Sequence, residues 1–196
     1  MRANSISHKL AVTAVILLAL GTSRGWGDIP IGFNGGFERP QGVTGELPVD
    51  WAPFSSKDIN IGISTNIQRS GTQALEISAQ GRQGSHLGVF QNLRVEPKKR
   101  YTFQAHVINS RSAPLNGNVY GMIGIEFRDS SGHEISRQIS PQWNRYLSKM
   151  KWERFEVEAR APKNAAVAHF VIYLIDGDDG PSKGSVLVDD VIITRK

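Results

Sequence analysis

No cysteine occurs anywhere in the 196 residues. That absence excludes disulfides, thiol nucleophiles and cysteine-ligated zinc or iron–sulfur centres. Long helical periodicity is missing too, since no 20-residue stretch repeats its apolar residues every three to four positions. The sequence also lacks an H-E-x-x-H zinc motif, a phosphate loop and any N-x-[ST] sequon. Of the five histidines, none stands at metal-ligand spacing from another. What remains to hold an exported domain is packing, alone or with a bound ion.

Export is the expectation because of how the chain starts. Arg2 and Lys9 precede an apolar run, Leu10 to Leu20, and small and polar residues follow in "GTSRGWG". This is the layout of a secretory signal peptide, expected to span residues 1–27, and the run is shorter than a membrane-spanning helix requires. An uncleaved anchor is the competing reading. Residues 28–196 are expected to form one domain, secreted or periplasmic. The three leader bases account for much of the high pI: without them 20 bases face 18 acids, a net charge of +2. "PKKRY" (Pro97 to Tyr101) is the densest basic cluster, and it reads as a turn entering a strand. Nothing here calls for nucleic acid, and no membrane insertion is expected after cleavage.

What is present is period-2 alternation. "INIGIST", "ALEISA", "YTFQAHV", "MIGIEFRD" and "RFEVEAR" each set apolar against polar residues as half-buried strands do. "AVAHFVIYLID" is apolar on both faces apart from His169 and Tyr173, which suits a central strand. Gly- and Pro-rich turns separate these runs. The fold class predicted is all-β: an antiparallel β-sandwich with jelly-roll topology.

Four segments carry a further signal in their order: "FNGGFERP" with "DWAPFS"; "QRSGTQALEI"; "VFQNLRVEPKKRYTFQAHV"; and "KWERFEVEARAPKNAAVAHFVIYLID" leading to "GSVLVDDVII". The series resembles the family 4/9, CenC-like carbohydrate-binding modules, a branch of the galactose-binding-like jelly rolls. It covers roughly Ile31 to Ile193. The resemblance implies a polysaccharide or cell-surface glycan as partner. It also implies a structural calcium near the two chain ends, held by the side chains of Glu38 and Asp189 and the carbonyls of Gly36 and Thr72. The family more often has Lys at position 72, and a backbone ligand tolerates the change.

Asp189 and Asp190 interrupt the last strand, where Asp is disfavoured. Alternation puts Asp190 on the other face from Asp189, there to receive hydrogen bonds from loop amides or from an Arg. Without an ion, Asp189 reads as an exposed strand-edge residue. The acidic cluster Asp176 to Gly180 lacks EF-hand spacing and reads as a solvated turn.

Sugar recognition needs flat apolar groups for pyranose faces with planar polar groups around them. Gln104 and His106 lie on the strand parity opposite Tyr101 and Phe103. Tyr120, Met122 and Glu126 oppose Ile123 and Phe127, while His169 and Tyr173 oppose Phe170 and Ile172. If these strands are neighbours, one polar-aromatic surface results, with Trp143 and Tyr146 at its rim. The ligand-binding candidates are therefore Trp143, Tyr120, His106, Tyr173 and Gln104. Trp51 and Trp152 are assigned to packing. No catalytic residue is assigned. The alternatives are a scaffold of the same fold without a sugar site, and a jelly-roll lyase or glycosidase.

Overall fold

The computed structural model describes residues 28–55, 60–177 and 182–196. The signal-peptide expectation, Ile59 and residues 178–181, which hold most of the acidic cluster, lie outside them. The elements are β1 (Ile29–Pro30), β2 (Ala52–Ser55), β3 (Ile61–Ser64), β4 (Ala74–Gln80), β5 (His86–Arg94) and β6 (Arg100–Asn109). They continue with β7 (Val119–Arg128), β8 (Glu134–Ile139), β9 (Trp143–Asn144), β10 (Glu153–Arg160), β11 (Val167–Asp176) and β12 (Lys183–Arg195). Among the described residues no helix is long and apolar enough to cross a membrane.

Two antiparallel sheets form the predicted sandwich. One runs β10-β6-β12-β4-β3 with β1 beside β12, and the other runs β2-β5-β11-β7-β8 with β9 beside β7. From β4 to β7 successive strands alternate between sheets, the jelly-roll habit. The apolar parity of each strand faces inward: Leu75 and Ile77, Phe103 and Ala105, Ile123 and Ile125, and Phe170 and Ile172 are all in the core. β11 is the central strand its composition predicts, pairing with both β5 and β7 and buried for most of its length.

β3 departs from the half-buried pattern, being covered on both faces. The 45–46 segment hydrogen-bonds alongside it, with the Gly45 amide donating to the Ile63 carbonyl and the Ile63 amide to that of Glu46. The Gly45 backbone lies so close to Gly62 that a Cβ there would fall 2.6 Å from it.

β12 is irregular at its two aspartates. Its register against β6 shifts between Asp189 and Ile192, and Asp190 takes a left-handed φ of 47°. This bulge breaks the alternation assumed above. Both carboxylates turn to one hairpin, residues 69–70, and the expectation of opposite faces is corrected. Asp189 is wholly buried rather than an exposed edge residue. Its Oδ2 accepts from the amides of Arg69 (2.8 Å) and Ser70 (3.1 Å), and its Oδ1 from the Asp190 amide (2.7 Å). Asp190 accepts from the Ser70 hydroxyl (2.6 Å) and pairs with the Arg69 guanidinium.

Candidate functional site

The outer face of the β11 sheet carries most of its polar chemistry in one place. β7 and β11 pair so that Glu126 lies opposite His169 and Met122 opposite Tyr173. On the far side of β11, Val171 faces Phe90 of β5 and Tyr173 faces Gly88. β2 adds Phe54 over Gly88, and β8 adds Arg137 opposite Glu126. Phe54, Phe90, Glu126, Arg137, His169, Val171 and Tyr173, with His86 and Arg128, line a cleft of about 380 Å³. Two glycines make its floor possible: a Cβ at Gly88 would sit 2.8 Å from the Phe54 ring, and one at Gly124 would sit 3.1 Å from the Tyr173 ring.

The cleft has an apolar half and a hydrogen-bonding half. In the apolar half, His169 stacks on Phe90 at 4.4 Å between ring centroids, and Phe54 meets Tyr173 edge-on at 5.7 Å. The other half is built around Glu126, which is 5% exposed. Its Oε2 accepts from Arg128 Nη2 (2.9 Å), its Oε1 lies 3.0 Å from Arg137 Nη2, and Tyr173 donates its hydroxyl to Oε1. Arg137 also reaches Glu134 at 2.7 Å. Two guanidiniums therefore balance two carboxylates.

Burial, and then the Glu126 carboxylate, push the Tyr173 pKa well above the ordinary phenol value, so this hydroxyl is a donor and not a base. Burial, followed by the Arg128 charge, pulls His169 below the usual imidazole value. The neutral ring is thereby favoured as a stacking surface. Glu126, which lines the cleft, and the neighbouring Glu134 are both engaged in the arginine network.

The sequence candidates divide between the two sides of the molecule. Tyr173 lines the cleft. Tyr120 is on the same face and packs against the apolar cluster of Met122, Val171, Tyr173 and Ile175, beside the residues that line the cleft. Gln104 and His106 lie on β6, which pairs with β10 and β12 in the opposite sheet. The expectation of one surface uniting them with Tyr173 is corrected, because chain order alternates between sheets where side-chain parity cannot show it. Trp143 is also corrected. It is 2% exposed, packs on Phe155 at 4.9 Å, and lies over Gly121, where a Cβ would come within 2.4 Å of the indole. Tyr146 is 77% exposed but borders a separate hollow with Arg145 and Asn144.

Phe54, Phe90, Arg128 and Arg137 belong to the site, although the sequence reading passed over them. Glu126 and Arg128 share a parity in "MIGIEFRD", which was the available signal for one of them. Trp51 packs against Phe37 in the main core, and Trp152 against a small outer cluster, as expected.

The residues implied for calcium can be tested for fit. Glu38 accepts from the Thr72 amide (2.9 Å), the Thr72 hydroxyl (2.7 Å) and the Gln73 amide (3.3 Å). Burial opposes its charge, but these bonds outweigh it and hold its pKa below the usual value. Burial pushes Asp189 up to about 6 against the pull of the Ser70, Arg69 and Asp190 amides. A carboxylate offers about four lone-pair sites, and Glu38 and Asp189 each spend three on these donors. Each keeps room for one further contact, which fits a calcium ligand bound through a single oxygen. Among the described residues no three acidic, His or Cys side chains gather as a metal site. Backbone carbonyls would have to supply the remaining ligands, as calcium permits.

Comparison with known proteins bears on the fold. No protein-family model matches the sequence, and no curated protein matches it. Among solved structures, the chain is similar to the CBM22-1 xylan-binding domain of Paenibacillus barcinonensis Xyn10C, with 13% identity and a TM-score of 0.56 over 82% of this chain and 91% of that one. TmCBM61, solved with β-1,4-galactotriose, aligns at 15% identity and a TM-score of 0.50 over 86% of this chain and 99% of that one. The tailspike protein 4 enzymatically active domain of bacteriophage CBA120 aligns with a TM-score of 0.61 and 13% identity over 86% of this chain. There this chain spans only 22% of the neighbour, and it spans 26% of a Clostridium thermocellum xylanase chain holding CBM22-1 and GH10 modules. The chain therefore has the β-sandwich fold of carbohydrate-binding modules.

Proposed function

We propose that this protein is an exported, non-catalytic carbohydrate-binding protein of the family 4/9 type, taking a β-glucan, xylan or related polysaccharide in the cleft over β11. The observation that carries the reading is the division of that cleft. Phe90, His169 and Phe54 form an apolar wall beside a charge-balanced row of donors and acceptors at Arg128, Glu126, Arg137 and the adjoining Glu134. Pyranose rings have the matching halves, C–H faces and hydroxyl edges. Stacking supplies affinity and the polar row supplies orientation. The neutral balance of the row suits an uncharged chain.

The proposal includes a structural calcium bound by Glu38, Asp189 and the carbonyls of Gly36 and Thr72. Its support is the pair of carboxylates, each with one acceptor site to spare, meeting the same 69–73 hairpin. When bound, the ion would join the start and end of a sandwich that has no disulfide.

The test is a glycan array followed by titration of the hits. Phe90→Ala and Arg137→Ala should each weaken binding by about 1–3 kcal/mol. Binding that survives both variants removes the cleft from recognition. Absence of binding to any glycan supports the scaffold reading, and turnover of an array hit supports the enzyme reading.

A further inference from the structure

A cavity of about 690 Å³ lies on the opposite sheet from the cleft. It forms where the 112–116 segment folds over the ends of β4 and β12. Ser78 and Ser185 stand opposite each other there, on the outward parity, with their hydroxyls 2.7 Å apart. Lys183 lies across from Gln80, and its backbone is fixed to Asn116 by two hydrogen bonds of 2.8 and 3.3 Å. Lys149 borders the same space, its carbonyl held at 3.0 Å by Arg111 Nε.

The charge here is one-sided. Lys149 and Lys183 are the ionisable groups of the lining, and no carboxylate joins them among the described residues. Elsewhere arginines are commonly neutralised, as in Arg39–Asp50, Arg100–Glu158 and the Arg128–Arg137 network. Lys149, Lys183 and the adjacent Arg111 have no such ion pair among the described residues. A recess with apolar edges at Ala79, Pro114 and Leu115, hydroxyls on its floor and two exposed lysines whose backbones are hydrogen-bonded in place presents donors to an oxyanion. Its volume is within the range of small-molecule sites, roughly 300–1,000 Å³, and larger than a lone inorganic anion needs.

We propose that this cavity is a second ligand site, for an acidic saccharide whose carboxylate or sulfate group is held between Lys149 and Lys183. It is independent of the cleft on the other sheet. The two lysines hold the anionic group, and the hydroxyls of Ser78 and Ser112 bind the ring oxygens.

The experiment is calorimetric titration of the protein with trigalacturonate, with a sulfated neutral trisaccharide, with an uncharged trisaccharide and with inorganic sulfate. At least one charged saccharide should bind saturably, and the uncharged one and the free ion should bind at least about tenfold more weakly. The Lys149→Gln, Lys183→Gln double variant, changed at two exposed positions, should lose about tenfold or more. Response to the uronate alone identifies a carboxylate ligand, and response to the sulfated sugar alone identifies a sulfate ester. The proposal is overturned if neither charged saccharide binds, if free sulfate or the uncharged sugar binds equally well, or if the double variant retains full affinity.

Discussion

Tyr173 donates its hydroxyl to Glu126 diagonally across the β11–β7 pair, its ring lying over Gly124. The contact joins the apolar and polar halves of the cleft, because the same tyrosine meets Phe54 edge-on. Tyr173→Phe keeps the ring and removes the donor. Glu126 retains two guanidiniums, so urea unfolding should show a loss of only about 1 kcal/mol. Gly124→Leu, which fills the floor, should displace the ring and abolish glycan binding. Unchanged binding in that variant would separate the cleft from recognition.

Glu126→Ala should cost more than Tyr173→Phe. It leaves Arg128 and Arg137 facing each other with only Glu134 between them. Both arginines reach solvent, which limits the loss to about 2 kcal/mol. Glu126→Ala with Arg137→Ala should cost less than the sum of the single changes, as a double-mutant cycle would measure.

Trp143→Ala should act on stability. The indole is buried over Gly121 and against Phe155, so its removal should destabilise the fold by about 3–5 kcal/mol. Affinity measured on the fraction still folded should be unchanged. A selective loss of binding without loss of stability would return Trp143 to the site.

His169 gives a pH dependence with a definite sign. Its pKa is lowered by burial and by Arg128, so the unfolded chain takes up the proton first as the medium is acidified. Its contribution to stability is present above about pH 6.5 and is lost as pH falls below that value. His106 is lowered as well, by burial and Arg69, so the measurement is a difference between variants. Melts at pH 7.5 and 5.5 should show a smaller acid loss in His169→Phe than in the wild type. Equal losses would refute the shift.

Calcium should raise the melting temperature if Glu38 and Asp189 hold it. At 100 times the dissociation constant the gain is about 2.7 kcal/mol. Asp189→Ala should abolish the calcium response and also destabilise in EDTA, since three amides lose their acceptor. Asp190→Ala removes bonds to the same hairpin, through the Arg69 and Ser70 side chains. It should reduce the response without eliminating it. A wild-type melt indifferent to EDTA would refute the ion.

Local pattern determined a large part of this protein. Alternation in β4, β6, β7 and β10 fixed which side chains enter the core, because a strand repeats every two residues and the apolar set must be buried. The doubly apolar run from Val167 to Asp176 announced the central strand, and the turn at Asp129–Gly132 is where its residues predict, with the Gly132 amide bonding to the Asp129 carbonyl. Parity, however, says which face of a strand is outward and not which sheet that strand joins. Gln104 and Tyr173 share an outward parity and lie on opposite sides of the sandwich, because β6 pairs with β12 while β11 pairs with β7. Trp143, short in its strand and flanked by polar residues, carries no period to reveal that Gly121 leaves space for it. The bulge at Asp190 is equally non-local, requiring the 69–70 hairpin to draw both aspartates to one side. The cleft itself draws on strands β2, β5, β7, β8 and β11, more than 80 residues apart in sequence at the extremes, so its assembly rested on strand pairing across the whole chain.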